Sequence, residues 1–307
     1  MPDDPIPDQN IAPIADPVIG KGRHRYRFCR TWAKLPRWWS FGEDSATPRP
    51  PQTAVQGAVA ANGDVYVLAR APHPVMVFDG AGNFVTSWGE GRFTPFVHGL
   101  RIAPDGHVWI TDSGNHTLTE HLPDGTPLRR LGTADFPAPT FWGNPFNMPT
   151  GVAFAACGDL FVADGYGNRR VHRFGADGTR KHSFGEPGNG PGQFAIVHYI
   201  EIDAKDRLYV VDRENDRIQV FDTEGTHIAD WTGFDQPSDL AFGKRSIVVG
   251  GRDGLSIWSA ERKLAIRWDR HTPHHDAFHI HGVWLDAQEN IYLAMFDRTV
   301  AKLTRIP

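Results

Sequence analysis

The sequence predicts an all-β fold, a six-bladed β-propeller whose ring is closed by an N-terminal strand in the last blade. Three observations predict it. A unit of four short strands recurs six times, about 40 residues apart. Turns within the units carry hairpin signals such as "PDG", "CGD", "ADG" and "TEG". The last unit is one strand short, and the N-terminus offers a strand of the missing kind.

Blade one opens near Gln56 ("QGAVAANGDVYVLARAPHPVMVFDGAGNFVTSWG"). Blades two, three and four open at His98, Thr150 and His198. Alternation with period 2 is plain in "LYVVD" and "RIQVFD", as for strands with one buried face. Blade five opens near Ser238 and blade six at His281, where "HGVWLDAQENIYLAMFDRTVAKLTRI" supplies three strands. Outer strands elsewhere end in an aromatic ("FVTSW", "HIADW", "LAIRW"), and so does "RYRFCRTW", ending at Trp32. Placed in blade six, that strand leaves no open edge. Residues 133–148, "TADFPAPTFWGNPFNM", are the one candidate interdomain linker, yet the repeat resumes in phase after them. They read as a long inter-blade loop in a single domain over 25–307. Residues 1–24, rich in Pro and Asp, read as an extended or disordered arm.

Composition narrows the function. Of 307 residues, 40% are hydrophobic and 22% charged, with a net charge of -4. No basic stripe suits a nucleic acid. No apolar run approaches the roughly 18 residues of a membrane span. Cys29 and Cys157 make no disulfide framework. The expectation is a cytoplasmic protein acting on a small molecule.

The stretch "HDAFHIHGVWLD", residues 275–286, holds three histidines in seven positions. Phase along the repeat sorts them. The first inner-strand position is Gln56, His98, Thr150, His198, Ser238 and His281 in turn, with blade one uncertain because its first hairpin is one residue shorter. Histidine thus falls in blades two, four and six, about 120° apart around a channel lined by inner strands. One such histidine is usually a hydrogen-bonded channel residue. Three on alternate blades point to a metal, with zinc the common choice and copper, iron or nickel also suited to imidazole.

The stretch from Phe146 to Asp222, with "DGYGN", "GPGQF" and "VDREN", closely resembles peptidyl-α-hydroxyglycine α-amidating lyases, which are six-bladed propellers of NHL-type repeats. The resemblance runs from about residue 50 to the end. It implies a catalytic Zn2+ on His98, His198 and His281, and cleavage of the C–N bond of an α-hydroxy amide to an amide and glyoxylate. It also implies Tyr166 as the active-site tyrosine, with Arg70 and Arg213 as the arginines. The chemistry is coherent. A metal stabilises charge on the hydroxyl oxygen, a tyrosine takes its proton, and planar guanidinium forks hold an anionic substrate. Two departures stand out. The aspartate that helps hold a structural Ca2+ in the family is Gly282 here, which puts calcium in doubt. The family's disulfide cysteine beside the tyrosine is Gly167. The substrate is then α-hydroxyglycine-like or another small molecule with a scissile C–N or C–O bond.

His279, two residues before His281, is a substrate-pocket candidate. His271, His274 and His275 read as a solvated loop. Asp112, Asp164 and Asp212 recur after second strands and read as ties between turns. "GEPGNGPGQF" lacks the lysine-serine ending of a phosphate loop and reads as an inter-blade connection. Trp142, Phe146 and Trp284 either wall a pocket or pack between blades. Two other functions stay open: a metal-dependent hydrolase of the lactonase type, and a non-catalytic NHL-repeat scaffold.

Overall fold

The computed structural model describes residues 16–42, 53–139, 146–269 and 278–307. Five four-stranded antiparallel sheets and one five-stranded sheet form six blades. The inner strands Ala54–Val59, Val97–Ile102, Gly151–Phe154, Val197–Ile202, Pro237–Phe242 and Ile280–Leu285 each touch the next, and the last touches the first. The ring is therefore closed around one channel.

Each blade is flanked by two others, so its second strand is buried on both faces, as in Val65–Ala69 and Leu160–Asp164. Such strands read as continuous apolar runs. Alternation survives in outer strands: in His227–Trp231 exposure alternates until the buried Trp231. That ring meets Trp258 of blade five edge-on at 5.1 Å, a contact worth about 1 kcal/mol beyond its buried area.

The N-terminal strand His24–Cys29 pairs antiparallel with Val300–Arg305, with Cys29 opposite Lys302. A further strand, Val18–Lys21, folds back on it with Lys21 opposite His24. The turn between them has Gly22 at φ 56°, where glycine is unstrained. The arm expected over 1–24 is thus ordered from residue 16, because this hairpin adds a fifth strand to blade six. Residues 1–15 lie outside the described residues. Among the described residues, no helix is long and apolar enough to cross a membrane.

Five inner strands carry a register shift near their start, leaving one extra residue on the channel side. The extra residues are Val55, His98, His198, Ser238 and His281. Thr150, whose N–H bonds the Ala163 carbonyl just before Gly151, holds the same place in blade three. The position expected at Gln56 in blade one is therefore Val55. Counted from Val55, the first hairpin of blade one has the same length as those of blades two, four and six.

Candidate metal centre

A bulge re-aims the side chain it carries. At His98, His198 and His281 the three rings turn toward one another, with centroids 4.8, 4.9 and 5.1 Å apart. One ring nitrogen from each lies within 4.8 Å of the others. All three residues are buried.

The opposite nitrogens fix the tautomer. Nδ1 of His98 bonds the Thr150 carbonyl at 2.8 Å, that of His198 the Ser238 carbonyl at 2.7 Å, and that of His281 the Val55 carbonyl at 2.8 Å. A carbonyl oxygen only accepts, so each Nδ1 carries the proton and each Nε2 keeps its lone pair. The acceptors are the residues at the matching position in blades three, five and one. Blades thus alternate between presenting an imidazole and orienting one. This is the outer support that metal-binding imidazoles use.

Electrostatics hold the rings neutral. Burial pushes His281 down to about 3, aided by the positive charge of Arg70. His98 is depressed well below its ordinary value by burial, then by His281 and Arg70, and His198 by burial and then by Arg213. Neutral, converging Nε2 atoms are the donor set of a transition metal.

The other candidates gather at the same mouth. The Tyr166 hydroxyl lies 3.0 Å from Nε2 of His98 and donates to its lone pair. Two close contacts make glycine necessary on either side of Tyr166. A Cβ on Gly165 would sit 1.6 Å from the Val197 carbonyl oxygen, and one on Gly167 2.3 Å from the Asn147 side chain. Arg213, in the short 3-10 turn Arg213–Asn215, lies 5.8 Å from the Tyr166 ring and pairs with neighbouring Glu214 at 2.8 Å. Arg70 is 3% exposed, and its Nε donates to the Val97 carbonyl at 3.1 Å. Burial lowers it to about 10, against the opposing influence of Tyr166 and Asp112.

His279 is exposed at the rim, with its ring 4.3 Å from Phe296, which also meets His281 at 5.4 Å. His271, His274, His275 and Trp142 lie outside the described residues. Phe146 is buried against His172 and Phe174, while Trp284 both stacks on Tyr292 and lines a cavity with Ala58, Arg101 and Glu201. Asp112 takes N–H bonds from Thr94 and Gly114, Asp164 from Asn147, and Asp212 from Ala195. Each ties its turn to the incoming inter-blade connection.

Sequence reasoning missed Phe96, which stacks on Tyr166 at 5.6 Å beneath the Arg70 guanidinium. It also missed the knot in the channel beyond the histidines. There the buried Asp239 takes hydrogen bonds from Gln56 at 2.8 Å, Val283 N at 2.7 Å and Leu240 N at 2.7 Å. A Cβ on Gly282 would lie 2.9 Å from the Gln56 amide oxygen. A carboxylate one residue after Ser238, inside the apolar run "PSDLAF", was the available signal. A second grouping, Asp105, His107 and Glu120, joins the first hairpin turn of blade two to its third strand, where Arg129 already pairs with Glu120 at 2.9 Å.

A family described as "6-bladed beta-propeller" matches residues 144–240, and the NHL repeat matches residues 94–119. NHL repeat-containing protein 3 of Homo sapiens is 32% identical over 206 residues, covering 61% of this chain and 59% of that protein. Peptidyl-alpha-hydroxyglycine alpha-amidating lyase 1 of Drosophila melanogaster is 34% identical over 155 residues, covering 46% of this chain and 27% of that protein. The chain thus spans 59% and 27% of these curated relatives, less than two thirds of either. A solved structure of a streptogramin B lyase superposes with a TM-score of 0.60 at 14% identity, covering 87% of this chain and 96% of that one. At that identity the likeness concerns the fold alone.

Proposed function

For an NHL-repeat six-bladed propeller with peptidyl-α-hydroxyglycine α-amidating lyases among its relatives, we propose a metal-dependent lyase that breaks the C–N bond of an α-hydroxy amide. One observation carries the reading: three buried, neutral imidazoles converge with their Nδ1 atoms tied to backbone carbonyls. Nε2 of His98, His198 and His281 would hold a divalent transition metal, zinc first. When bound it supplies Lewis-acid stabilisation of negative charge on the substrate hydroxyl oxygen.

The chain's own groups do the rest. The lone pair that accepts the Tyr166 hydroxyl is the one a cation would take. The phenol is then released to the substrate, where it takes the hydroxyl proton as it passes its own to the departing amide nitrogen. The O–H electron pair forms the new C=O bond. The C–N pair leaves with the amide nitrogen, which gains a proton. No water is consumed, as expected of a lyase. Arg70 and Arg213 orient the carboxylate. Arg213 exchanges its half-exposed partner Glu214 for substrate. His279 flanks the entrance.

Calcium is not part of the reading. Gly282 brings no carboxylate, and both oxygens of Asp239 already face N–H donors. A cytoplasmic setting accords with two free cysteines. The broader match to NHL repeat-containing protein 3 favours a second reading, a non-catalytic scaffold. The donor set opposes a lactonase-type hydrolase, which usually holds calcium on carboxylates.

Metal analysis of the purified chain, then glyoxylate release from α-hydroxyhippurate, tests the proposal. A tightly held metal with glyoxylate release supports it. A chain that takes up no zinc leaves the scaffold reading standing.

A further inference from the structure

A cavity of ≈ 260 Å³ opens between blades one and two at the end of the ring where the histidines lie. Its walls come from the loop after the second strand of blade one, with Arg70, Pro72 and Pro74, and from the connection leading to His98, with Phe93 and Pro95. We propose that this pocket receives the apolar acyl group of the substrate, so that N-aroyl and bulky N-acyl α-hydroxy amides are preferred over small ones. This rests on the lyase reading for the chemistry, though not for the pocket.

Arg70 belongs to both places. It lines the cavity, and its charge reaches His98 and His281. From it a continuous wall leads to the histidines. Its guanidinium lies 4.9 Å above Phe96, Phe96 stacks on Tyr166 at 5.6 Å, and the Tyr166 hydroxyl meets His98 Nε2 at 3.0 Å. A ligand with its carboxylate near Arg70 therefore meets, beside that guanidinium, a recess walled by Pro72, Pro74, Phe93 and Pro95.

The recess is built to stay open. Three of its wall residues are prolines, whose fixed φ leaves little freedom to lose on binding. The Pro74 carbonyl is pinned by Ala69 N at 2.8 Å, and Thr94, between Phe93 and Pro95, by Asp112 at 2.7 Å. Its size, below the roughly 300 Å³ of pockets that enclose drug-sized ligands, suits one ring or branched side chain rather than a longer peptide.

Binding to the zinc-loaded full chain tests this by calorimetry, with N-benzoylglycine and N-acetylglycine as probes. Neither has the hydroxyl needed for turnover. N-benzoylglycine is expected to bind at least about tenfold more tightly. Phe93→Ala and Pro95→Glu, checked for folding by their zinc content, should each narrow that advantage to about threefold or less. Equal affinities in the unaltered chain, or an undiminished advantage in both variants, would overturn the pocket assignment. Turnover of α-hydroxyhippurate is scored separately. Its absence alongside an intact benzoyl preference would refute the reaction and leave the pocket standing.

Discussion

His281 donates its Nδ1–H to the carbonyl oxygen of Val55 at 2.8 Å, although the two lie 226 positions apart. That bond joins the last blade to the first, so ring closure and the orientation of one candidate ligand are the same event. His98 with Thr150 and His198 with Ser238 repeat it between neighbouring blades. Replacing Val55, Thr150 or Ser238 by another residue leaves the carbonyl in place, so the supporting shell has no side-chain signature.

The three histidines are expected to bind about one zinc per chain. Single His→Ala changes should weaken binding strongly, and the triple change should abolish it. The pH dependence follows from burial. An ordinary histidine site loses zinc below pH ~6.5 because protons compete for the ligands. Here the folded pKa values lie well below that, with His281 at about 3. Zinc affinity of the folded apo-protein should therefore stay nearly flat between about pH 7.5 and 5.5. Competition with a chromophoric chelator measures it. A fall of about tenfold per pH unit would mean the imidazoles are protonated and the centre is open to water.

Tyr166→Phe keeps the ring stacked on Phe96 and deletes only the hydroxyl that meets His98. Zinc content should be unchanged, while the rate of C–N cleavage falls by about 10²- to 10⁴-fold, the range for a general base. Glyoxylate release at saturating substrate reads the effect. A variant with full activity would remove Tyr166 from the proton transfer.

The ring of blades was legible because the repeat, the turn residues and the short last unit all depend on side-chain type. The convergence of three imidazoles was legible for the same reason, since His98, His198 and His281 keep phase across three blades. Val55 was misplaced by one because a bulge adds a residue without any marker of its own. The hairpin Val18–Lys21 was missed because its strand is short and mostly exposed, stabilised by pairing rather than by an apolar pattern. Gln56 and Asp239 escaped because their meaning lies in a contact spanning 183 positions.

Removing residues 1–30 takes away His24–Cys29 and leaves Val300–Arg305 as an unpaired edge. Tyr26 and Phe28 leave the core of blade six with it, where they pack on Trp268 and Phe278. Losing two buried aromatics costs about 3–5 kcal/mol each, a large part of a typical stability. The truncated chain should melt far lower and aggregate through its edge, and it should lose zinc because blade six carries His281. Melting and light scattering on the full and shortened chains check this. Matching curves would mean the strand decorates a ring that closes without it.

Asp239 sets a pH dependence of its own. Burial pushes its carboxyl up to about 7, although Val283 N, the Gln56 amide and Arg101 all favour the charged form. In the unfolded chain the same group titrates near 4. Between these values the folded protein holds a proton that the unfolded chain has lost. Stability from this group is therefore fully present below about pH 4 and is lost as pH rises through about 7. The slope is at most about 1.4 kcal/mol per pH unit. Asp239→Asn cannot ionise and should remove it. Taking the variant's unfolding free energy minus that of the unaltered chain cancels the opposing drift of the histidines. The difference should climb from pH 4 to 7 and level off above. A flat difference would mean that Asp239 stays charged throughout, and that the hydrogen bonds of the knot outweigh its burial.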